Sequence, residues 1–220
     1  MTTTTRKVLI ISILLLLGFA ILAFSAASAP YFGFDLAISK AVQSYKLPVL
    51  SQYLYVLNWI GYNPQSYIIS AVIILFILLR GFTLEGILSL VSVLASTFLG
   101  RYFKALIARP RPDASLVQVE EILHDLSFPS GHVLYFTVFF GFLLFLTITL
   151  LHPSWKKTFL ILLLASMVAL IGLARVYTGN HWTSDVLGGY LLGGGLLGLT
   201  IVAYQIAANH SQTAQRTPKH

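Results

Sequence analysis

Six long apolar runs decide what this chain can fold into: Val8–Phe24, Tyr67–Leu79, Leu84–Phe103, Val133–Leu151, Thr158–Val176 and Val186–Ala207. A helix needs about 20 apolar residues to cross the hydrocarbon core of a bilayer. Inside lipid, every backbone N–H and C=O must be satisfied within the segment, which helices do and open strands cannot. The sequence therefore predicts an all-α polytopic membrane protein with six transmembrane helices. Only 10% of the residues are charged and 57% are hydrophobic, whereas soluble domains carry about a quarter charged residues. Tyr67–Leu79 is short and is expected to gain a turn at its outer end. No repeat or second domain is visible, so residues 1–208 read as one domain and the polar stretch 209–220 as a disordered tail.

The first run resembles a signal peptide in one respect, because Ala27-Ser28-Ala29 looks like a small-residue cleavage site. Its apolar core is longer than such peptides use, so it is read as a retained span. From Pro30 to Gln65 the pattern is amphipathic, not membrane-spanning. Asp35 is placed to cap a short helix with Ile38, Ala41, Val42 and Tyr45 on one apolar face. A second amphipathic run covers Pro48–Ile60. These two are predicted as interfacial helices between spans 1 and 2. The aromatics Tyr31, Phe32, Phe34, Tyr45, Tyr53, Tyr55, Trp59 and Tyr62 suit interface anchoring. A collar guiding a headgroup is the second reading of the same residues.

A net charge of +7 suits nucleic acid in a soluble protein, but here the cations are spread over short loops between spans. They act better as an orientation signal. With the N-terminus inside, Arg6, Lys7, Arg80, Lys156, Lys157, Arg216 and Lys219 are inner. Lys40, Lys46 and a group of five, Arg101, Lys104, Arg109, Arg111 and Arg175, are then outer. Five cations at one end of a bundle are costly near lipid and point to function. Alternation of the spans also places Lys104, Ser130-Gly131-His132, Arg175 and His181 on one face, taken as the outer one, with both termini cytoplasmic.

Three clusters on that face can carry chemistry. Lys104 ends a helix that Pro110 and Pro112 forbid from continuing. Arg109 and Arg111 then lie on extended backbone and present guanidinium forks suited to phosphate oxygens, although helix C-terminal cations also serve as caps. In Phe128-Pro129-Ser130-Gly131-His132, the N–H groups of a turn entering a helix form an anion nest, with the Ser130 hydroxyl as a further donor. The plain alternative is a serine cap beside a histidine. Finally, His181 and Asp185 are four residues apart, so one helical turn brings the carboxylate to the imidazole. That contact fixes the tautomer and frees the other ring nitrogen to attack.

Taken together, Lys104 with six residues before Arg111-Pro112, then Pro129-Ser130-Gly131-His132, then Arg175 with five residues before His181 and three more before Asp185, resemble the three-part signature of the type 2 phosphatidic acid phosphatase family. One departure is Ala174, where the family usually has serine. The resemblance implies His181 as nucleophile, forming a phosphohistidine, Asp185 as its orienting carboxylate and His132 as general acid. It also implies Lys104, Arg111, Ser130, Gly131 and Arg175 as the phosphate-binding set. It implies no metal and no cofactor, because cations and backbone amides offset the phosphate charge. The expected partners are the bilayer and a lipid phosphate: phosphatidic acid, phosphatidylglycerol phosphate or undecaprenyl diphosphate. No nucleic acid and no obligatory protein partner are expected.

Two further features remain open to two readings each. The acids Asp113, Glu120, Glu121 and Asp125 share one loop without metal-ligand spacing, and read as a solvated acidic surface in preference to a gate. The glycines Gly188, Gly189, Gly193, Gly194, Gly195 and Gly198 read as close helix packing in preference to a groove for an acyl or prenyl chain. A phosphotransferase with a lipid or sugar acceptor would use the same phosphohistidine. A vanadate-type haloperoxidase shares such a site but is not expected in a membrane. A non-catalytic lipid-phosphate binder would not need the His181–Asp185 pair.

Overall fold

The computed structural model describes residues 1–45 and 48–216. Lys46, Leu47 and residues 217–220 lie outside it. The described residues form eight helices: α1 (Thr3–Ala27), α2 (Gly33–Ser44), α3 (Pro48–Gly61), α4 (Gln65–Leu79), α5 (Thr83–Ile107), α6 (Gly131–Leu150), α7 (Trp155–Tyr177) and α8 (Thr183–Arg216). Five of them, α1 and α5 to α8, are long and apolar enough to cross a membrane alone. The sixth crossing belongs to a pair, α3 and α4, bent by 77° across Tyr62–Pro64. The expected second span is thereby corrected. It gains only Gln65 and Ser66 at its outer end, because Pro64 interrupts the helix there; α4 alone is about 22 Å long. The amphipathic run before it supplies the rest.

At the centre stands α6, with 67% of its apolar window buried inside the protein against 17% for α1. Its middle turn, Phe136–Phe140, is a π-helix, packed with Tyr135 in a ring cluster of Phe136, Phe139 and Phe140. On one side α6 joins α3 and α7 in a core containing Leu54, Leu57, Val133, Phe136 and Ile171. On the other it joins α1 and α8 around Phe19, Phe128, Leu134 and Leu192. The glycine-rich face of α8 is a packing face. A Cβ on Gly189 would meet the Ser130 carbonyl at 2.9 Å, and one on Gly198 would meet Ser12 Oγ at 1.9 Å. Small residues let α1 and α6 approach α8 closely, as expected from sequence.

Helix α2 is amphipathic, as expected, with its polar face turned to the protein. Its buried residues are Asp35, Ser39 and Gln43, while Ile38 and Tyr45 are exposed. A helix against a bilayer inverts the soluble rule: the apolar face meets lipid and the polar face meets the protein. The buried stripe has a purpose. Gln43 Nε2 donates to the Gln118 carbonyl at 2.7 Å, and Gln118 N donates back to Gln43 Oε1 at 3.0 Å. This pins the long loop 108–130 across one end of the bundle. Of the stretch 209–220, the part from Asn209 to Arg216 continues α8, and residues 217–220 lie outside the described residues.

Candidate active site

The three sequence clusters meet at the end of the bundle that loop 108–130 covers. Helix α5 ends where Ala108 adopts a left-handed φ of 51° and its N–H bonds the Lys104 carbonyl. The chain then runs extended through Arg109 and Arg111. Helix α7 ends in a turn at Gly179, φ 68°, where a Cβ would lie 1.9 Å from the Gln118 carbonyl oxygen. Only glycine fits there. That turn returns the N–H groups of Asn180 and His181 to the Arg175 carbonyl, which sets His181 beside the motif at the end of α7.

A cavity of about 270 Å³ opens between α4, α5, α6 and this loop, and Lys104, Arg111, Gly131, His132, Arg175 and His181 all line it. Arg111 Nη1 lies 3.2 Å from His181 Nε2. On the opposite side of the ring, Nδ1 lies 3.5 Å from Asp185 Oδ2 and 3.4 Å from Ser127 Oγ. A guanidinium only donates and a carboxylate only accepts. The geometry therefore fixes the tautomer with the proton on Nδ1 and the lone pair on Nε2, on the cavity side. Burial, and after it the Arg111 guanidinium, hold the His181 pKa well below its ordinary 6.5. The ring is thus neutral at neutral pH.

Asp185 lies behind His181, fully buried and fully satisfied. Its Oδ1 accepts from Arg109 Nη1 at 2.6 Å, and Oδ2 accepts from Trp182 N at 2.9 Å and from the Ser127 hydroxyl. Arg109 is therefore not a phosphate ligand, as its extended backbone suggested. It is 1% exposed and bonds Asp185, Ser184 Oγ at 2.6 Å and Asp35 Oδ2 at 3.1 Å. Asp35 in turn accepts from Phe32 N at 2.9 Å at the start of α2, and from Ser184 N at 2.7 Å. The capping role expected of it is real, and it also ties α2 to α8.

Arg175 is held from α3. Its Nη1 donates to Asn58 Oδ1 at 2.8 Å and to the Tyr62 hydroxyl at 3.3 Å. Its buried Nε has no partner among the described residues. Beside Ala174, the Arg175 guanidinium is thus oriented by Asn58 and Tyr62. His132 is fixed by the same residue, with Nε2 donating to the Asn58 carbonyl at 3.2 Å and the ring edge-on to Tyr62 at 4.8 Å. The ring also lies where a Cβ on Gly61 would fall, 2.1 Å from His132 Cδ2.

Ser130 is placed otherwise than expected. Its N–H is committed to the Asp185 carbonyl at 3.0 Å, and its hydroxyl is buried without a partner among the described residues, outside the cavity lining. Gly131 does face open space, with nothing within 4 Å of a Cβ position. Its N–H begins α6 and has no intrahelical acceptor.

The four loop acids are exposed, as expected, but one of them also reaches the site. Asp125 bridges the cations of the cavity, pairing with Lys104 Nζ through Oδ2 and with Arg111 through Oδ1. Tyr55 donates to Glu120 Oε1 at 2.5 Å. Partial burial raises the Asp125 pKa, but Lys104 and Arg111 outweigh it and hold the carboxyl below the ordinary 3.8. The pairing is therefore complete above that value and is lost only as pH falls through the lowered one. Asp125→Asn should let inorganic phosphate inhibit at about fivefold lower concentration. This corresponds to about 1 kcal/mol for a pair whose carboxylate is half exposed. An unchanged inhibition constant would show that the carboxylate does not compete with phosphate.

An apolar bundle with a neutral, carboxylate-backed histidine facing a cluster of cations defines a membrane-embedded site built to handle a phosphoryl group. The chain belongs to the PAP2 superfamily, whose model matches residues 85–209. It is 29% identical to phosphatidylglycerophosphatase B of Bacillus subtilis (strain 168) over 184 residues, 81% of this chain and 87% of that one. It is 28% identical to an undecaprenyl-diphosphatase of Sulfolobus acidocaldarius over 165 residues, 73% and 74% of the two chains. The crystal structure of the transmembrane PAP2-type phosphatidylglycerolphosphate phosphatase of Bacillus subtilis superposes with a TM-score of 0.75 at 27% identity, covering 89% of this chain and 96% of that one. Aquifex aeolicus LpxE shares the fold, with a TM-score of 0.59 at 24% identity over 76% and 96%. The protein is an integral membrane phosphatase of this family.

Proposed function

We propose that the chain hydrolyses the terminal phosphate of a membrane lipid through a phosphohistidine on His181. The observation that carries this is the tautomer: Nδ1–H toward Asp185 and the Nε2 lone pair on the side of Arg111. Nε2 attacks phosphorus while the bond to the lipid oxygen breaks. His132, doubly protonated beside the anionic phosphate, gives that oxygen the proton of Nδ1 and is left neutral, with its Nε2–H still on the Asn58 carbonyl. Lys104, Arg111, Arg175 and the Gly131 N–H hold the nonbridging oxygens, whose charge they stabilise in the transition state. Ser130 contributes by anchoring the turn before α6 on Asp185. Water then attacks phosphorus, His132 takes its proton, the P–N bond breaks and inorganic phosphate leaves.

Metal independence is supported by the three cations around the phosphate position, Lys104, Arg111 and Arg175, which offset its charge. The relatives act, by their names, on phosphatidylglycerol phosphate and undecaprenyl diphosphate, and both share with phosphatidic acid a headgroup phosphate above a long apolar tail. We place the site on the outer face and both termini in the cytoplasm, in keeping with Arg6, Lys7, Arg80, Lys156 and Lys157 at the other end of the spans. Residues 1–208 act as one domain. The test is phosphate release by purified protein from these three lipids, with and without chelator. Release from at least one, undiminished by chelator, is expected. Release from none rejects the phosphatase reading, and loss with chelator rejects metal independence.

A further inference from the structure

One cation on the cavity wall is unused by this mechanism. Arg101 lines the same cavity as Lys104 and His181 but stands three residues earlier on α5. It is therefore on the same helix face, about 5–6 Å away between Cβ atoms and one turn further into the span. Its guanidinium donates to the Tyr67 hydroxyl of α4 at 3.2 Å, and among the described residues it forms no ion pair. Lys104 and Arg111, by contrast, share the Asp125 carboxylate. An uncompensated cation within a membrane helix is costly and calls for an anion.

Along α5 the cavity wall changes in order. After Lys104 and Arg101 come Thr97 and Ser96, then Val93. A lipid entering with its terminal phosphate at His181 would run along this wall toward its apolar tail. Any second phosphate on that lipid then lies next to Arg101, and the linker lies against the hydroxyls.

We propose that Arg101 and Tyr67 form a second anion subsite, which holds the phosphate that stays on the lipid and so selects headgroups with two phosphates over those with one. This rests on the phosphatase reading above. The shared ligand chemistry is a retained phosphate one linker below the cleaved one, and it has two sources: a glycerol-linked phosphodiester or a directly joined diphosphate.

Arg101→Gln, at an exposed position, should lower kcat/KM by about tenfold for phosphatidylglycerol phosphate, for a long-chain prenyl diphosphate, or for both. For phosphatidic acid the change should stay within about twofold, and Arg101→Lys should restore most of the loss. A loss on both two-phosphate lipids assigns the subsite to any second phosphate, and a loss on one assigns it to that linker. Equal loss on all three lipids, or no loss, overturns the proposal. Lipid binding to His181→Ala protein, with and without Arg101→Gln, reads the same selectivity by native mass spectrometry without turnover. If wild type releases no phosphate, the phosphatase reading fails, while this binding comparison still decides the subsite. Equal binding of one- and two-phosphate lipids in both proteins would reject it.

Discussion

His181→Ala should lower kcat for phosphate release by at least about 10³-fold, the scale on which enzymes lose a nucleophile. Substrate affinity should stay within a few-fold. The asymmetry follows from the geometry. In the proposed mechanism binding rests on Lys104, Arg111, Arg175 and the Gly131 N–H, all of which line the cavity, and chemistry rests on one lone pair, at Nε2. Rapid quench into alkaline detergent with 32P-labelled lipid should show a labelled wild-type protein, acid-labile and base-stable as phosphohistidines are, and no label on the variant. The pH dependence gives a second check. Because burial and Arg111 hold His181 well below 6.5, the ring is deprotonated and reactive through neutral pH. Its protonation should therefore depress kcat only below 6.5. Near-normal release by the variant, or an acid limb centred above 6.5, would remove His181 from the nucleophile's place.

The spans and the three motifs were legible because both are local patterns. Apolar runs read directly as helices in lipid, and Lys104, Arg111, His132, Arg175 and His181 converge once six crossings alternate. What the sequence hid lies in two places. One is the amphipathic stretch between the first two spans, where Asn58 and Tyr62 orient Arg175 and His132. A buried asparagine in an apolar helix was the available signal, but the aromatic pattern around it pointed to interface anchoring. The other is the polarity of α2. Asp35, Ser39 and Gln43 recur every four residues, but the partners of Asp35 and Gln43, at Arg109, Ser184 and Gln118, lie far away in the chain, where no local pattern points to them. Ser127 had no signal at all, because a loop serine acquires a role only when the fold brings it to Asp185. Asp125 is similar: its loop carries four acids, and nothing in their spacing says which one reaches Lys104 and Arg111.

Replacing Arg109 with methionine should destabilise the protein by about 3–5 kcal/mol, the usual consequence of leaving buried charge without its partner. Arg109 looked like one more phosphate ligand in the sequence, two residues before Arg111. In the fold it is 1% exposed, and it holds two fully buried carboxylates, Asp35 from α2 and Asp185 from α8. Methionine fills a similar volume but cannot donate, so both carboxylates lose a charge-assisted bond. Their remaining donors, among them Phe32 N and Ser184 N for Asp35 and Trp182 N for Asp185, keep the cost below that of two bare charges. A fall of roughly 10 °C in the unfolding midpoint in detergent is expected for a chain of this size. Arg109→Lys should fall between, because an ammonium keeps the charge but not the fork that spans both acids. The double variant Arg109→Met with Asp35→Asn separates this account from simple loss of packing. Removing one carboxylate relieves the uncompensated charge, so the double variant should be more stable than Arg109→Met alone. If it is less stable by the full cost of each change, charge compensation is not what Arg109 provides. Activity should fall together with stability in Arg109→Met, since Asp185 Oδ1 loses its anchor while Oδ2 faces His181. The same residue thus links the seating of α2 on the bundle to the orientation of the attacking ring.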